Sequence, residues 1–180
     1  MSSLEENPMT KTRRVIASVL AAAALSGAST AHAAGFQAEV GLGSAHTSDA
    51  GVDSKSALIV DAAFGYRFTP NFGARAMVFG EFDGNRIGGP EEPSFDSFVG
   101  LEATGHAELA PQVHAMGGLG FGQVNYFEGI DGAKKASGTT PVLSGGLQWQ
   151  PGKRFAMELH VDYLTTAKVT NLALLFQIPF

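Results

Sequence analysis

The sequence predicts an all-β chain, an eight-stranded antiparallel up-and-down transmembrane β-barrel that follows a cleaved signal peptide. Three observations lead there: a period of two in the apolar residues, turn prolines at a near-constant interval, and a basic N-terminal segment that runs into a short apolar stretch. The alternation is clearest at residues 155 to 163. Phe155, Met157, Leu159, Val161 and Tyr163 are apolar, while Glu158, His160 and Asp162 stand among them. Successive side chains of a strand point to opposite faces, so one face is apolar and the other carries three ionisable groups. Pro70, Pro111 and Pro151 are spaced 41 and 40 residues apart, each within a short turn-like segment. Proline fixes φ and has no N–H, which suits tight turns and excludes it from central strands. Longer polar or glycine-rich stretches, Thr47 to Ser54, Asp83 to Pro93 and Glu128 to Gly138, alternate with these turns.

The intervening segments read as strands. The first, Phe36 to His46, sets Phe36, Ala38, Val40 and Leu42 against Gln37, Glu39 and two glycines. The second, Ala57 to Phe68, has Leu58, Val60, Ala62, Phe64, Tyr66 and Phe68 on one face, with Asp61 and Arg67 on the other. In the third, Phe72 to Phe82, Ala74, Ala76 and Val78 oppose Arg75 and Glu81. The fourth, Phe98 to Leu109, places Val99, Leu101, Ala103, Ala107 and Leu109 opposite Glu102, His106 and Glu108. Val113 to Tyr126 forms a fifth, with Val113, Ala115, Leu119 and Phe121 against His114, Met116 and glycines. The sixth, Pro141 to Gln150, turns Leu143, Leu147 and Trp149 one way and Ser144, Gln148 and Gln150 the other. Residues 155 to 163 are the seventh. In the eighth, Val169 to Phe180, Leu172, Leu174, Phe176, Ile178 and Phe180 oppose Asn171 and Gln177.

The compartment follows from the N-terminus. Lys11, Arg13 and Arg14 precede an apolar run from Val15 to Leu25, and Ala31-His32-Ala33 supplies an Ala-x-Ala cleavage site before Ala34. That is a secretory signal peptide over residues 1–33, with Met9 as an alternative start, and residues 34–180 form the barrel. Its apolar core is shorter than the ~18 to 20 residues a spanning helix needs, and no later segment reaches that length. The exported part, 147 residues with a net charge of about −6, is one domain's worth and too acidic for a general nucleic-acid binder. It contains no cysteine, so disulfides and thiolate metal sites are excluded, and a sheet closed on itself must supply the stability.

The sparse, glycine-rich polar face marks a confined lumen, whereas a water-soluble barrel would carry dense charge outside. Strands of about nine to eleven residues, tilted ~45°, cross the hydrocarbon core, and antiparallel closure satisfies every backbone group there. The whole pattern resembles the small outer-membrane β-barrels of Gram-negative bacteria, the OmpA-type transmembrane domain and its OmpX-like relatives. In that family the chain typically ends in Phe, with apolar residues at alternate positions upstream, and this end serves as an assembly signal. Phe180, Ile178, Phe176 and Leu174 occupy those places, while Pro179 departs from the pattern by removing one N–H from the last strand. The resemblance implies localisation in the outer membrane, with membrane lipid, lipopolysaccharide and the outer-membrane assembly machinery as partners and a monomer as the expected state.

Asp61, Arg67, Arg75, Glu81, Glu102, His106, Glu158, His160 and Asp162 share the inward phase and are expected to form a paired polar network filling the lumen, because charges in a confined interior must pair. Arg75 is its expected main cation. His106, His114 and His160 beside acids raise the question of metal or acid–base chemistry, but their spacing is only that of alternation, and none stands beside a serine in a hydrolase-like motif. No catalytic residue, cofactor or metal is therefore assigned. The glycines from Gly117 to Gly122 lack the spacing of a nucleotide loop and give the wall room for larger lumen groups. Phe68, Trp149, Phe155 and Phe180 are expected in an aromatic girdle at the turn end. The expected function is a non-enzymatic barrel with a structural or cell-surface interaction role. A narrow gated pore and a ligand-binding or adhesive surface protein acting through its long loops are the alternatives. If Phe180 is read during assembly, Phe180→Asp should lower the folded outer-membrane fraction, measured by membrane fractionation, and leave export and signal cleavage intact; normal surface levels of the variant would refute that role.

Overall fold

The computed structural model describes residues 35–48, 56–81, 94–127, 137–152 and 154–180. The expected signal segment lies outside these residues, as do the central parts of the three long connections. Eight strands follow in chain order: β1 Gly35–Thr47, β2 Ala57–Thr69, β3 Phe72–Glu81, β4 Ser94–Ala110, β5 Val113–Phe127, β6 Gly138–Trp149, β7 Ala156–Leu164 and β8 Val169–Pro179. Each pairs antiparallel with its neighbours, and β1 closes on β8, running from Gln37↔Pro179 to Thr47↔Val169. The Pro70, Pro111 and Pro151 turns lie at one end of the barrel, the turn end. The long connections and the short turn from Leu164 to Val169 lie at the other, the loop end.

Most strand ends fall within one residue of those the periodicity predicts, and two starts differ by more. β4 starts at Ser94 rather than Phe98, since Ser94 and Phe95 pair with Phe127 and Tyr126 before a register shift between Phe95 and Ser97. Such a bulge resets the alternation, which hides the first residues from a period-two pattern. β6 starts at Gly138, ahead of Pro141. Its pairing with β7 begins only at Val142↔Leu164, so Pro141 has a strand neighbour on the β5 side alone and lacks nothing for want of an N–H. Phe155 precedes β7 and belongs to the connection that starts at Pro151. The rung that Pro179 cannot donate is followed at once by another, in which the Phe180 N–H donates to the Phe36 carbonyl at 2.9 Å.

The outward phase is apolar around the full circumference. Leu42, Val60, Val78, Leu101, Leu119, Leu143, Leu159 and Leu174, one from each strand, all face out and are exposed. Among the described strand residues, the outward phase carries no Asp, Glu, Lys or Arg. A wall of this kind would be one continuous hydrophobic patch in water, far larger than the few hundred Å² that soluble monomers show. It is the wall of a transmembrane barrel, and no helix among the described residues is long and apolar enough to cross a membrane.

Aromatic side chains gather on the outside near the turn end. Phe36 stacks on Phe64 with centroids 5.5 Å apart, Tyr66 lies 4.8 Å from Phe36 and 5.3 Å from Phe68, and Phe180 reaches Phe64 at 6.5 Å. Phe180 thus crosses the β8–β1 seam and packs onto β2. Phe155 meets Phe176 at 6.0 Å, and Trp149 is half exposed on the outer wall. A wall closed by a β1–β8 ladder should resist detergent until heated. Unboiled protein should therefore migrate differently from boiled protein on electrophoresis, and identical mobilities would contradict closure.

Candidate functional site

Inward-facing residues divide the lumen into two layers. Toward the loop end, Ile59, Phe79, Phe98, Val142, Leu164 and Val169 are all fully buried and pack with Met77, Phe95, Val124, Ala45 and Ala167. Phe79 sits 5.1 Å from Phe98 and 5.8 Å from Phe95, centroid to centroid. These residues lie on the phase expected to be polar. Alternation assigns a face and says nothing about depth, so a strand-by-strand contrast could not separate a polar lower lumen from an apolar upper one.

Below this layer lies a charged network centred on Arg75. Its Nε donates to Glu102 Oε2 at 2.9 Å and its Nη1 to Glu39 Oε2 at 3.1 Å, and Glu158 and Asp162 lie 3.9 and 3.8 Å away. His160 stands between two carboxylates, with Nδ1 2.7 Å from Glu158 Oε1 and Nε2 2.7 Å from Asp162 Oδ1. Arg75 Nη2 approaches the same Nε2 at 2.6 Å. Glu102 also accepts a hydrogen bond from Ser144, and a side chain at Gly118 would collide with that carboxylate and hydroxyl, so the glycine makes the space they occupy.

A second chain of contacts crosses the lumen nearer the turn end. Arg67 Nη2 donates to Gln148 at 3.0 Å, Gln148 donates to Gln177, and Gln177 donates to Glu158 at 2.6 Å. On the loop-end side of Arg75, Asn171 uses one Nδ2 to reach Asp61 at 3.1 Å and Asp162 at 3.0 Å. Gln37 donates to Glu39 at 2.7 Å.

Of the inward residues expected to pair, Asp61, Arg67, Arg75, Glu102, Glu158, His160 and Asp162 converge in this network. His106 is buried, and among the described residues its side chain reaches only the Thr104 hydroxyl, at 3.3 Å through Nε2, with no partner for Nδ1. Glu81 is half-buried at the loop end of β3, two inward steps beyond Phe79's neighbour Met77, and the apolar layer separates it from Arg75. Glu108 lies exposed beyond the turn end of the lumen. Glu39, Ser144, Gln148, Asn171 and Gln177 belong to the network without having been singled out, although each stands on the inward phase of its strand. Among the described residues no group of three or more His, Cys, Asp or Glu is placed to hold a metal ion.

Comparison with solved structures identifies the architecture. Ail, the attachment invasion locus protein of Yersinia pestis, aligns with a TM-score of 0.56 at 17% identity, over 81% of this chain and 99% of that one. The chain has the fold of the small eight-stranded outer-membrane β-barrels. The outer membrane protein OprG from Pseudomonas aeruginosa aligns at 0.53 and 12% identity, over 82% of this chain and 94% of that one. A de novo designed transmembrane β-barrel aligns comparably, at 0.52 and 9% identity over 84% and 100%. A likeness shared with a designed protein is a likeness of fold. No protein-family model and no curated protein matches the sequence.

Arg75, 3% exposed and touching acids on β1, β4 and β7, offers the sharpest test of the network. Removing one partner from a buried charged cluster costs ~3 to 5 kcal/mol, because the remaining charges stay uncompensated. Arg75→Ala should lower the urea unfolding midpoint at constant detergent, whereas Arg154→Ala in the exposed Pro151 connection should leave it in place.

Proposed function

We propose that the protein is a non-enzymatic integral barrel of the outer membrane, with a lumen closed to solutes and a structural or cell-surface interaction role. The observation that carries this reading is the pairing of a charge-free outer wall with a lumen whose central side chains, Glu158, His160, Asp162, Phe79 and Phe98 among them, are fully buried. An eight-stranded barrel is just wide enough for side chains to fill it. The wall supports lipid as its solvent, with Phe68, Trp149, Phe155 and Phe180 as girdle residues, and the alternating Phe176, Ile178 and Phe180 support recognition of the last strand by the assembly machinery. A signal peptide over residues 1–33 supports export. The His160–carboxylate contacts lie inside the network rather than at a cleft, which favours a structural role over acid–base catalysis.

A gated pore is the second reading, and the two-layer lumen favours a specific version of it. The apolar layer is the barrier, and the acid-rich layer beneath would select cations. Planar-bilayer recording separates the two. Wild-type protein should be silent, and the double substitution Phe79→Ala with Phe98→Ala should open a cation-selective conductance. Large steady currents through the wild type would replace the closed barrel with the pore.

A further inference from the structure

The outer wall is not evenly covered. On β7, β8 and β1 the outward phase carries Leu159, Val161, Leu172, Leu174, Val40 and Leu42, whereas Ala62 on β2 and Ala76 on β3 leave their positions nearly bare. A groove of about 690 Å³ opens there on the outside of the sheet and runs across β2, β3, β4 and β5 to the start of β6. Its size lies within the ~300 to 1,000 Å³ of small-molecule sites.

The ladder registers build it. Phe64 pairs with Ala76 and Ala76 with Leu101, while Ala62 pairs with Val78 and Val78 with Val99. Leu101 in turn faces Phe121, and Val99 faces Gln123, which pairs with Thr139. Phe64, Leu101 and Phe121 are each half or more exposed and stand as walls around an alanine floor. On the lumen side Phe98 fills the space that side chains at Gly100 and Gly122 would need, and these two glycines pair across β4 and β5. The apolar layer of the lumen therefore backs the groove.

Polarity changes along its length. The middle is hydrocarbon, and Gln123 and Thr139 stand toward the loop end, as the outward Ser44, His46 and Thr170 do on β1 and β8. The Gln123 amide nitrogen donates to the carbonyl of its neighbour Val124 at 3.5 Å, a long contact that uses one of its two N–H groups. A polar side chain on a lipid-facing wall is costly unless a partner reaches it from the membrane side. Phospholipid offers such a partner, since the ester carbonyl at the head of each acyl chain is an acceptor, and an amide N–H and a hydroxyl are donors.

We propose that this groove binds an acyl chain of a diacyl phospholipid, the chain lying over Ala62 and Ala76 and its ester carbonyl accepting hydrogen bonds from Gln123 and Thr139. Lipid is the occupant because the groove opens outward on a wall whose described strand residues carry no charge, at a depth where hydrocarbon is the solvent. A lipid with two chains can seat one in the groove and keep its headgroup beside the loop end, whereas a lipid with many chains on one headgroup would leave most of them on the convex wall. The site depends on lipid outside the wall and is indifferent to whether the lumen is closed.

The test uses folded protein in phosphatidylcholine vesicles containing a trace of phosphatidylcholine with a photoreactive diazirine in one acyl chain, with adducts mapped by peptide mass spectrometry. Adducts should concentrate on the outward residues of β2 to β5 that line the groove, over those of β7 and β8. Ala76→Phe, which fills the floor, should move them off the groove, while Val161→Phe on the far wall should not. The double substitution Gln123→Leu with Thr139→Val removes both hydrogen bonds and should lower groove labelling about tenfold. Adducts spread evenly around the wall, unchanged in these variants, mean annular lipid alone and would overturn the site while leaving the membrane reading intact; adducts on no strand would count against the membrane reading itself. Loss of the groove adducts when lipopolysaccharide is added to the vesicles, or links between two protein chains in their place, would give the groove another occupant and overturn the proposal. If Ala76→Phe fails to fold, judged by heat-dependent mobility, the Gln123→Leu, Thr139→Val protein decides by the same comparison with wild type.

Discussion

Charge compensation around Arg75 is the constraint on which the interior depends. Backbone ladders join each strand only to its two neighbours, so the wall alone gives no contact across the lumen. Arg75 on β3 reaches Glu39 on β1, Glu102 on β4 and the Glu158–His160–Asp162 row on β7. The Arg67–Gln148–Gln177–Glu158 chain adds a second brace between β2, β6, β8 and β7. Because these groups are buried, each bond in the braces is stronger than it would be in water, and each unpaired group correspondingly more costly. Loss of one member is thus felt around the whole ring.

Outer wall and lumen obey opposite rules, the one apolar in its middle band and the other holding buried charged groups against one another. Outside, lipid offers no partner to a charge, and the described outward strand residues include none. Inside, charges persist because they meet one another, and where they cease the lumen becomes apolar. The boundary falls between Asp61 and Ile59 on β2, between Arg75 and Phe79 on β3, and between Asp162 and Leu164 on β7. Three strands change character at corresponding positions, which makes the division a layer across the barrel rather than a local accident.

Most of the wall was legible in the sequence. Period-two alternation from Phe36 to Phe180 and the prolines at Pro70, Pro111 and Pro151 locate eight strands and three tight turns. Where the pattern misleads, a local irregularity is responsible. The register shift at Phe95 conceals the start of β4, and the one-sided pairing at Pro141 permits a proline inside β6. Among the lumen groups, Arg75, Glu102, Glu158, His160 and Asp162 are visible as charges on the inward phase. Glu39 shares that phase on β1, where it stands between Gln37 and two glycines.

The residue pattern alone settles which way each side chain faces, because strand geometry turns every second residue to the same side whatever surrounds it. It also settles that the outward side is free of charge. Depth and partnership are different. Glu81 and Arg75 share a strand and a phase, yet Phe79 lies between them. Asp61 and Asn171 are 110 positions apart in the chain and meet through one amide. Those outcomes depend on the register of each ladder and on the closure of β1 against β8, which set the level of every rung around the ring. A period carries no information about either, so the split between apolar layer and charged network appears only once the sheet is closed.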